Sequence, residues 1–320
     1  MTQVIIQRLL QSGEPSIRYK VLTQILAQEA DSTKVRNLQE EIRGSTRVQR
    51  LLSERNADGQ IPGHPYSKWN GAHWVLATLA DLGYPPGDES LIPLREQVYA
   101  WLLSVGHRKG VKIMAGRARR CASQEGNALF ALFRLGLADE RTEELAQGLL
   151  QWQWPDGGWN CDKKPEATHS SFMESLLPLR GLALHARRTG NARSQQAAEH
   201  AADLFLKREL FKRQSDGGVI DEEFITLHYP WYWHYDILFG LKVMAEAGWL
   251  DDERCQAALN LLESKQLADG GFAAEKKYYQ NNPKAKTGRS LVDWGGTSRT
   301  RMNEFVTVEA LSVLKAAKHT

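Results

Sequence analysis

Apolar residues along this chain fall into two alternating kinds of segment. One kind is apolar on nearly every side, rich in small residues, and often ends at glycine: residues 72–83, 126–136, 171–186, 234–248 and 303–317, with 16–28 as a sixth. Helices that are apolar all round belong in an interior. The other kind is amphipathic, with charge along one face: 88–104, 139–150, 192–211 and 251–265, plus the long stretch 32–55 broken at Gly44. Acidic residues at positions 88, 139 and 251 open three of these, as a helix N-terminus prefers. Pro178 lies inside one apolar segment, where it predicts a kink or a tightened first turn.

Asp-Gly pairs punctuate this alternation at Asp58-Gly59, Asp156-Gly157, Asp216-Gly217 and Asp269-Gly270. Their spacing is about fifty residues or its double, the period of a repeat that buries its apolar face only by stacking on its neighbours. Six inner segments alternate with five outer ones, and an N-terminal helix over 3–12 supplies a sixth. This predicts an all-α fold, an α/α toroid of two concentric helical layers. Residues 1–320 are read as one repeat domain, and an open superhelix is the competing arrangement.

Two of the Asp-Gly turns complete a longer motif. Leu149, Gln153, Gly157 and Trp159 form Leu-x3-Gln-x3-Gly-x-Trp, and Leu262, Gln266, Gly270 and Phe272 repeat it with Phe in the aromatic place. This resembles the repeat of squalene and oxidosqualene cyclases. The Gly-Gly-Trp and Gly-Gly-Phe turns are also similar to those of protein prenyltransferase β subunits. The resemblance implies a toroid with a central, largely apolar cavity that takes an isoprenoid or another hydrophobic small molecule. It implies no particular reaction. The cyclase Asp-x-Asp-Asp and the prenyl synthase D-D-x-x-D are both missing, so enzyme status stays unassigned. Prenyltransferases hold zinc through Asp, Cys and His. In that comparison His169 falls on the cysteine position, Ala167 falls on the aspartate position, and His234 lies near the histidine.

Loops that enter inner helices share one rim of a toroid, so residues distant in sequence can converge there. That rim predicts His73, His169, His234, Asp236 and Glu304 as candidate catalytic groups, with Asn127 and Asn303 beside them. Cys121, Cys161 and His169 precede adjacent inner segments and form a candidate zinc set, with Asp162 or His107 as a fourth ligand. Arg119, Arg120, Arg299 and Arg301, in R-A-R-R-C and S-R-T-R-M, lie on the same rim and match a diphosphate head. The cavity is expected to be floored by Phe130, Phe133, Phe172 and Phe239. The polar loop from Lys276 to Asp293 is read as a mobile lid.

Two other functions stay open. The runs K-W-N-G-A-H-W (68–74) and H-Y-P-W-Y-W-H-Y-D (228–236) suit a carbohydrate-active toroid, of lyase or hydrolase type. A non-catalytic scaffold that binds a peptide or protein partner needs no catalytic signature at all. A net charge of +3 is too mild for a nucleic-acid binder. No apolar run approaches the roughly 20 residues of a membrane span. Three cysteines without C-x-x-C imply a reduced, cytoplasmic chain.

Overall fold

The computed structural model describes residues 2–318 and is mostly helical, with one small β-hairpin. The inner segments become α2 (Pro15–Lys20, continued by a π-helical turn Val21–Ile25), α5 (Ala72–Leu82), α8 (Ser123–Arg134), α10 (Phe172–Thr189), α12 (Ile237–Ala247) and α14 (Glu304–Ala316). The outer segments become α1 (Thr2–Leu10), α3 (Thr33–Gly44), α4 (Thr46–Leu51), α6 (Ile92–Leu102), α9 (Arg141–Trp152), α11 (Ala192–Leu206) and α13 (Gln256–Ser264). A short helix α7 (Val105–Lys109) and the hairpin β1 (Lys112–Met114) with β2 (Arg117–Arg119) fill the link between α6 and α8. The sequence pattern misses both, because neither carries a long apolar period.

Local chemistry explains the boundaries. Ser32, Ser45, Asn191, Asp236 and Asn303 accept backbone N–H groups at helix starts, and Gly83, Gly190 and Gly248 end inner helices in the left-handed conformation. Asp252 rather than Asp251 caps the turn that leads into α13. α10 continues through Pro178.

Each inner helix packs on the next: α5 on α8, α8 on α10, α10 on α12, α12 on α14, and α14 on α2 and the π-turn. Lys20 of α2 pairs with Asp81 of α5, and the Tyr19 ring lies against Gly83. One continuous apolar core runs from Ile5 to Leu314.

The repeat motif has a visible structural job. The Gln153 side-chain amide donates to the carbonyls of Gly157 (2.7 Å) and Ala197 (2.8 Å), and that of Gln266 donates to Gly270 (3.0 Å). Trp159 and Phe272 are fully buried, and Trp159 donates its indole N–H to the Leu149 carbonyl at 2.9 Å. Ser175 of α10 accepts from the Trp159 N–H, and Thr307 of α14 accepts from the Phe272 N–H, both at 2.9 Å. In each case glutamine closes the turn, the aromatic plugs the gap between helices, and a hydroxyl on the following inner helix fixes it.

Candidate functional site

The rim where α5, α8 and α10 begin does gather chemistry. The backbone N–H of Arg120 donates to the Asn160 carbonyl at 3.1 Å, which brings the residues that follow them, Cys121 and Cys161, side by side. Both are free thiols and half-buried. With Glu174, in the first turn of α10, they form a group whose sulfur and oxygen atoms lie within 4.8 Å of one another. Cys161 Sγ is 3.5 Å from Glu174 Oε1, while Glu174 Oε2 accepts the Ser123 N–H at 3.1 Å. The Cys161 thiol donates to Cys121, so Cys121 is held below and Cys161 above the usual thiol range. Burial raises Glu174. Tyr66 faces all three groups electrostatically, and burial raises its hydroxyl.

The third member of the expected metal set is not there. His169 is exposed, and its carbonyl, not its ring, is engaged, by the Asn160 side chain at 2.8 Å. Asp162 is exposed as well, and His107 turns instead to Glu125, 3.1 Å away. Glu174 sits on a helix face that reads as core, so nothing in the spacing of the cysteines pointed to it.

Next to this group lies a second, buried one. His73 is enclosed by the rings of Tyr66, Trp74 and Trp101, its Nε2 lies 3.3 Å from Asn127 Nδ2, and its Nδ1 has no partner. Burial and the neighbouring His107 push His73 down to about 3. Burial and the Arg120 charge bring His107 down to about 4. Arg120 pairs with Glu125, which burial raises.

The remaining expected groups are engaged in the fold. Asp236 caps α12, accepting from Phe239 N–H (2.7 Å) and His228 N–H (2.9 Å), and it also meets the His228 ring. His234 is stacked between Trp233 and Tyr278, and burial pushes it down to about 3. Glu304 accepts from Ser12 at 2.8 Å. Arg119 donates to the Ala167 carbonyl at 2.9 Å and lies over the Trp154 ring, so it and Arg120 act as struts; Arg299 and Arg301 are exposed.

The two aromatic runs meet, but they spend their faces on each other: Trp69 stacks on Tyr232 at 3.9 Å and is itself buried. Tyr229, Trp231 and Tyr232 also pack against α5, α8, α10 and α12, leaving a void of only about 40 Å³ beside Phe239. The expected lid is tied down. Arg289 grips Glu54 through contacts of 2.6 and 2.7 Å, its backbone pairs with Lys68 and Trp69, and Tyr278 donates to Glu223.

Open space lies at the other end of the inner helices. A pocket of about 400 Å³ is lined by Phe130, Ala183, Leu184, Ala245, Val313 and Ala316, with Arg180, Lys242, Glu246 and Glu309 among its polar members. Of the expected phenylalanines only Phe130 reaches it. Phe172 packs on Phe205, Phe224 and Tyr235, and Phe133 packs on His185. A second pocket, of about 630 Å³, lies between the hairpin and α9, but its Trp152 and Trp154 are already covered by Arg120 and Arg119.

The neutral histidines give a pH prediction. Below pH 6.5 the unfolded chain takes up protons that folded His73, His107 and His234 refuse. Their contribution is therefore complete above pH 6.5 and is lost as pH falls toward their folded values. Each sets a slope of about 1.4 kcal/mol per pH unit. The urea midpoint should fall steadily from pH 6.5 to 4.5, and a flat midpoint across that range contradicts their burial as neutral rings.

No helix among the described residues is long and apolar enough to cross a membrane. Set against models of known protein families and against curated proteins, the sequence matches none.

Proposed function

We propose that the chain is a closed α/α toroid of the squalene-cyclase and prenyltransferase-β type, which binds a hydrophobic small molecule at the end of its inner layer. The observation that carries this is the 400 Å³ pocket, because α8, α10, α12, α14 and the π-turn following α2 all contribute to it. Its volume lies within the range of small-molecule sites, and its walls are mainly apolar with a few fixed polar groups. Closure of the ring is supported by the sequence of inner-helix contacts and by the Lys20–Asp81 pair, which ties the first inner helix to the second. The apolar wall takes the ligand body. Arg134 and Arg187, exposed at the mouth, suit an anionic head. No reaction is assigned to this pocket.

The test is a thermal-shift and calorimetric panel of farnesol, farnesyl diphosphate and an oligosaccharide. A ligand at a hundred times its Kd stabilises the folded state by about 2.7 kcal/mol. An isoprenoid should raise the melting temperature by several degrees, and Ala183→Trp, which fills the pocket, should abolish that rise while the fold stays intact. A rise with the oligosaccharide alone favours the carbohydrate-active reading. No rise in any arm favours a scaffold for a protein partner.

A further inference from the structure

We propose that Cys121, Cys161 and Glu174 bind one zinc ion through two thiolates and a carboxylate, with a fourth position open to solvent. The site lies at the opposite end of α8 and α10 from the ligand pocket, and it stands whether or not that pocket binds an isoprenoid.

Three observations carry it. The first is distance. Zinc–sulfur bonds of about 2.3 Å and zinc–oxygen bonds of about 2.1 Å in a tetrahedron put sulfur and oxygen about 3.6 Å apart. Cys161 Sγ and Glu174 Oε1 are 3.5 Å apart, and no pair in the group exceeds 4.8 Å, so closing around an ion needs little movement.

The second is support behind the ligands. The Ser123 N–H holds Glu174 Oε2 and leaves Oε1 to the thiols. The backbones carrying the two cysteines are joined through Arg120 and Asn160. Outer partners of this kind orient metal ligands in established sites.

The third is donor chemistry and access. Two thiolates with one carboxylate suit zinc and reject magnesium and calcium, which take oxygen ligands. Cys255 shows what a cysteine used only for packing looks like here: it is fully buried in the core. Cys121 and Cys161 are half-exposed, converge from distant parts of the chain, and leave one side of the group facing solvent and Tyr66. Three protein ligands and one open position are the form of a reactive zinc site, in contrast to closed structural ones. The open position takes a water or an external thiolate.

The experiment loads the full-length, untagged chain, kept reduced, with zinc and separately with cobalt. One zinc per chain is expected, and the cobalt form should show the near-ultraviolet thiolate-to-metal band. Cys121→Ala and Cys161→Ala should each remove about half of that band. Glu174→Gln should weaken zinc binding by at least about tenfold. Cys255→Ala should change neither reading. Circular dichroism on every variant separates lost metal from lost fold. A folded protein that takes up no zinc, or a double cysteine variant that keeps it, overturns the site. Loss of zinc in His169→Ala with Glu174→Gln unaffected also overturns it, in favour of the histidine set.

Discussion

Replacing Glu309 with alanine should destabilise the fold by about 3–5 kcal/mol, a large share of the roughly 5–15 kcal/mol that holds a domain together. Glu309 is fully buried on α14 and joins two ammonium groups, Lys20 of α2 and, at 2.6 Å, Lys242 of α12. The same cluster takes in Asp81 of α5 and Arg180 of α10. Arg180 reaches Asp81 at 3.4 Å and Glu246 at 2.6 Å, and its guanidinium lies over the Phe130 ring of α8. The Tyr229 hydroxyl donates to Asp81 at 3.1 Å.

Removing the Glu309 carboxylate takes away the shortest partner of both buried ammonium groups and leaves Lys20 to Asp81 at 3.3 Å and Lys242 to Glu246 at 3.4 Å. Glu309→Gln keeps the shape but not the charge, so it should cost nearly as much. Removing Asp203 from its half-exposed pair with Arg254 should cost no more than about 1 kcal/mol. Urea midpoints of the three variants decide the matter. If all three fall together within about 1 kcal/mol, the central cluster contributes no more than a surface pair.

The cluster also has a pH signature distinct from that of the histidines. Burial alone would raise Glu246, but Arg180 and Lys242 outweigh it and hold it at about 2; the Asp81 carboxyl is likewise held well below its ordinary range by Lys20, Lys242 and Arg180. Carboxylates lowered in this way contribute their full stability above about pH 4.5 and lose it as pH falls through the folded values. The histidine loss comes first, and the central cluster gives way last.

The helices of this fold are legible in the sequence because their physics is local. The segments 72–83, 171–186 and 303–317 are apolar on nearly every side, and each became a helix within a few residues of the expected span. Cys121 and Cys161 could be paired because they precede neighbouring inner segments. Glu174 could not, since a carboxylate one turn into an apolar helix gives no spacing signal. The central cluster was hidden for a related reason. Asp81, Arg180, Lys242 and Glu309 lie on four different, mainly apolar segments, with no spacing between them that marks a cluster. The signal that would have exposed them is collective: nearly every inner helix carries a charge, and the signs alternate enough to cancel. The burial of the 228–236 run was also out of reach, because only tertiary contacts decide which of its rings are covered.

Gly126→Ala should destabilise the chain by about 3 kcal/mol, although helix propensity alone predicts the opposite sign. In a helix interior alanine is better than glycine by about 1 kcal/mol. Gly126, however, sits where α8 crosses α10. A Cβ there would lie 2.3 Å from the Pro178 nitrogen and 2.6 Å from the Leu177 carbonyl oxygen, and a Cβ on Gly181 would lie 2.5 Å from the Gly126 carbonyl oxygen. All of these are backbone atoms, so no side-chain rotation relieves the clash, and the helices must separate. Overpacking of a tight core costs about 1–3 kcal/mol, and a backbone clash belongs at the upper end. Gly44, at the end of α3, has nothing within 4 Å of the corresponding position. Gly44→Ala should therefore follow propensity and stabilise by up to about 1 kcal/mol. The two urea midpoints should move in opposite directions, and a rise in both shows that α8 and α10 do not cross as closely as the glycines require.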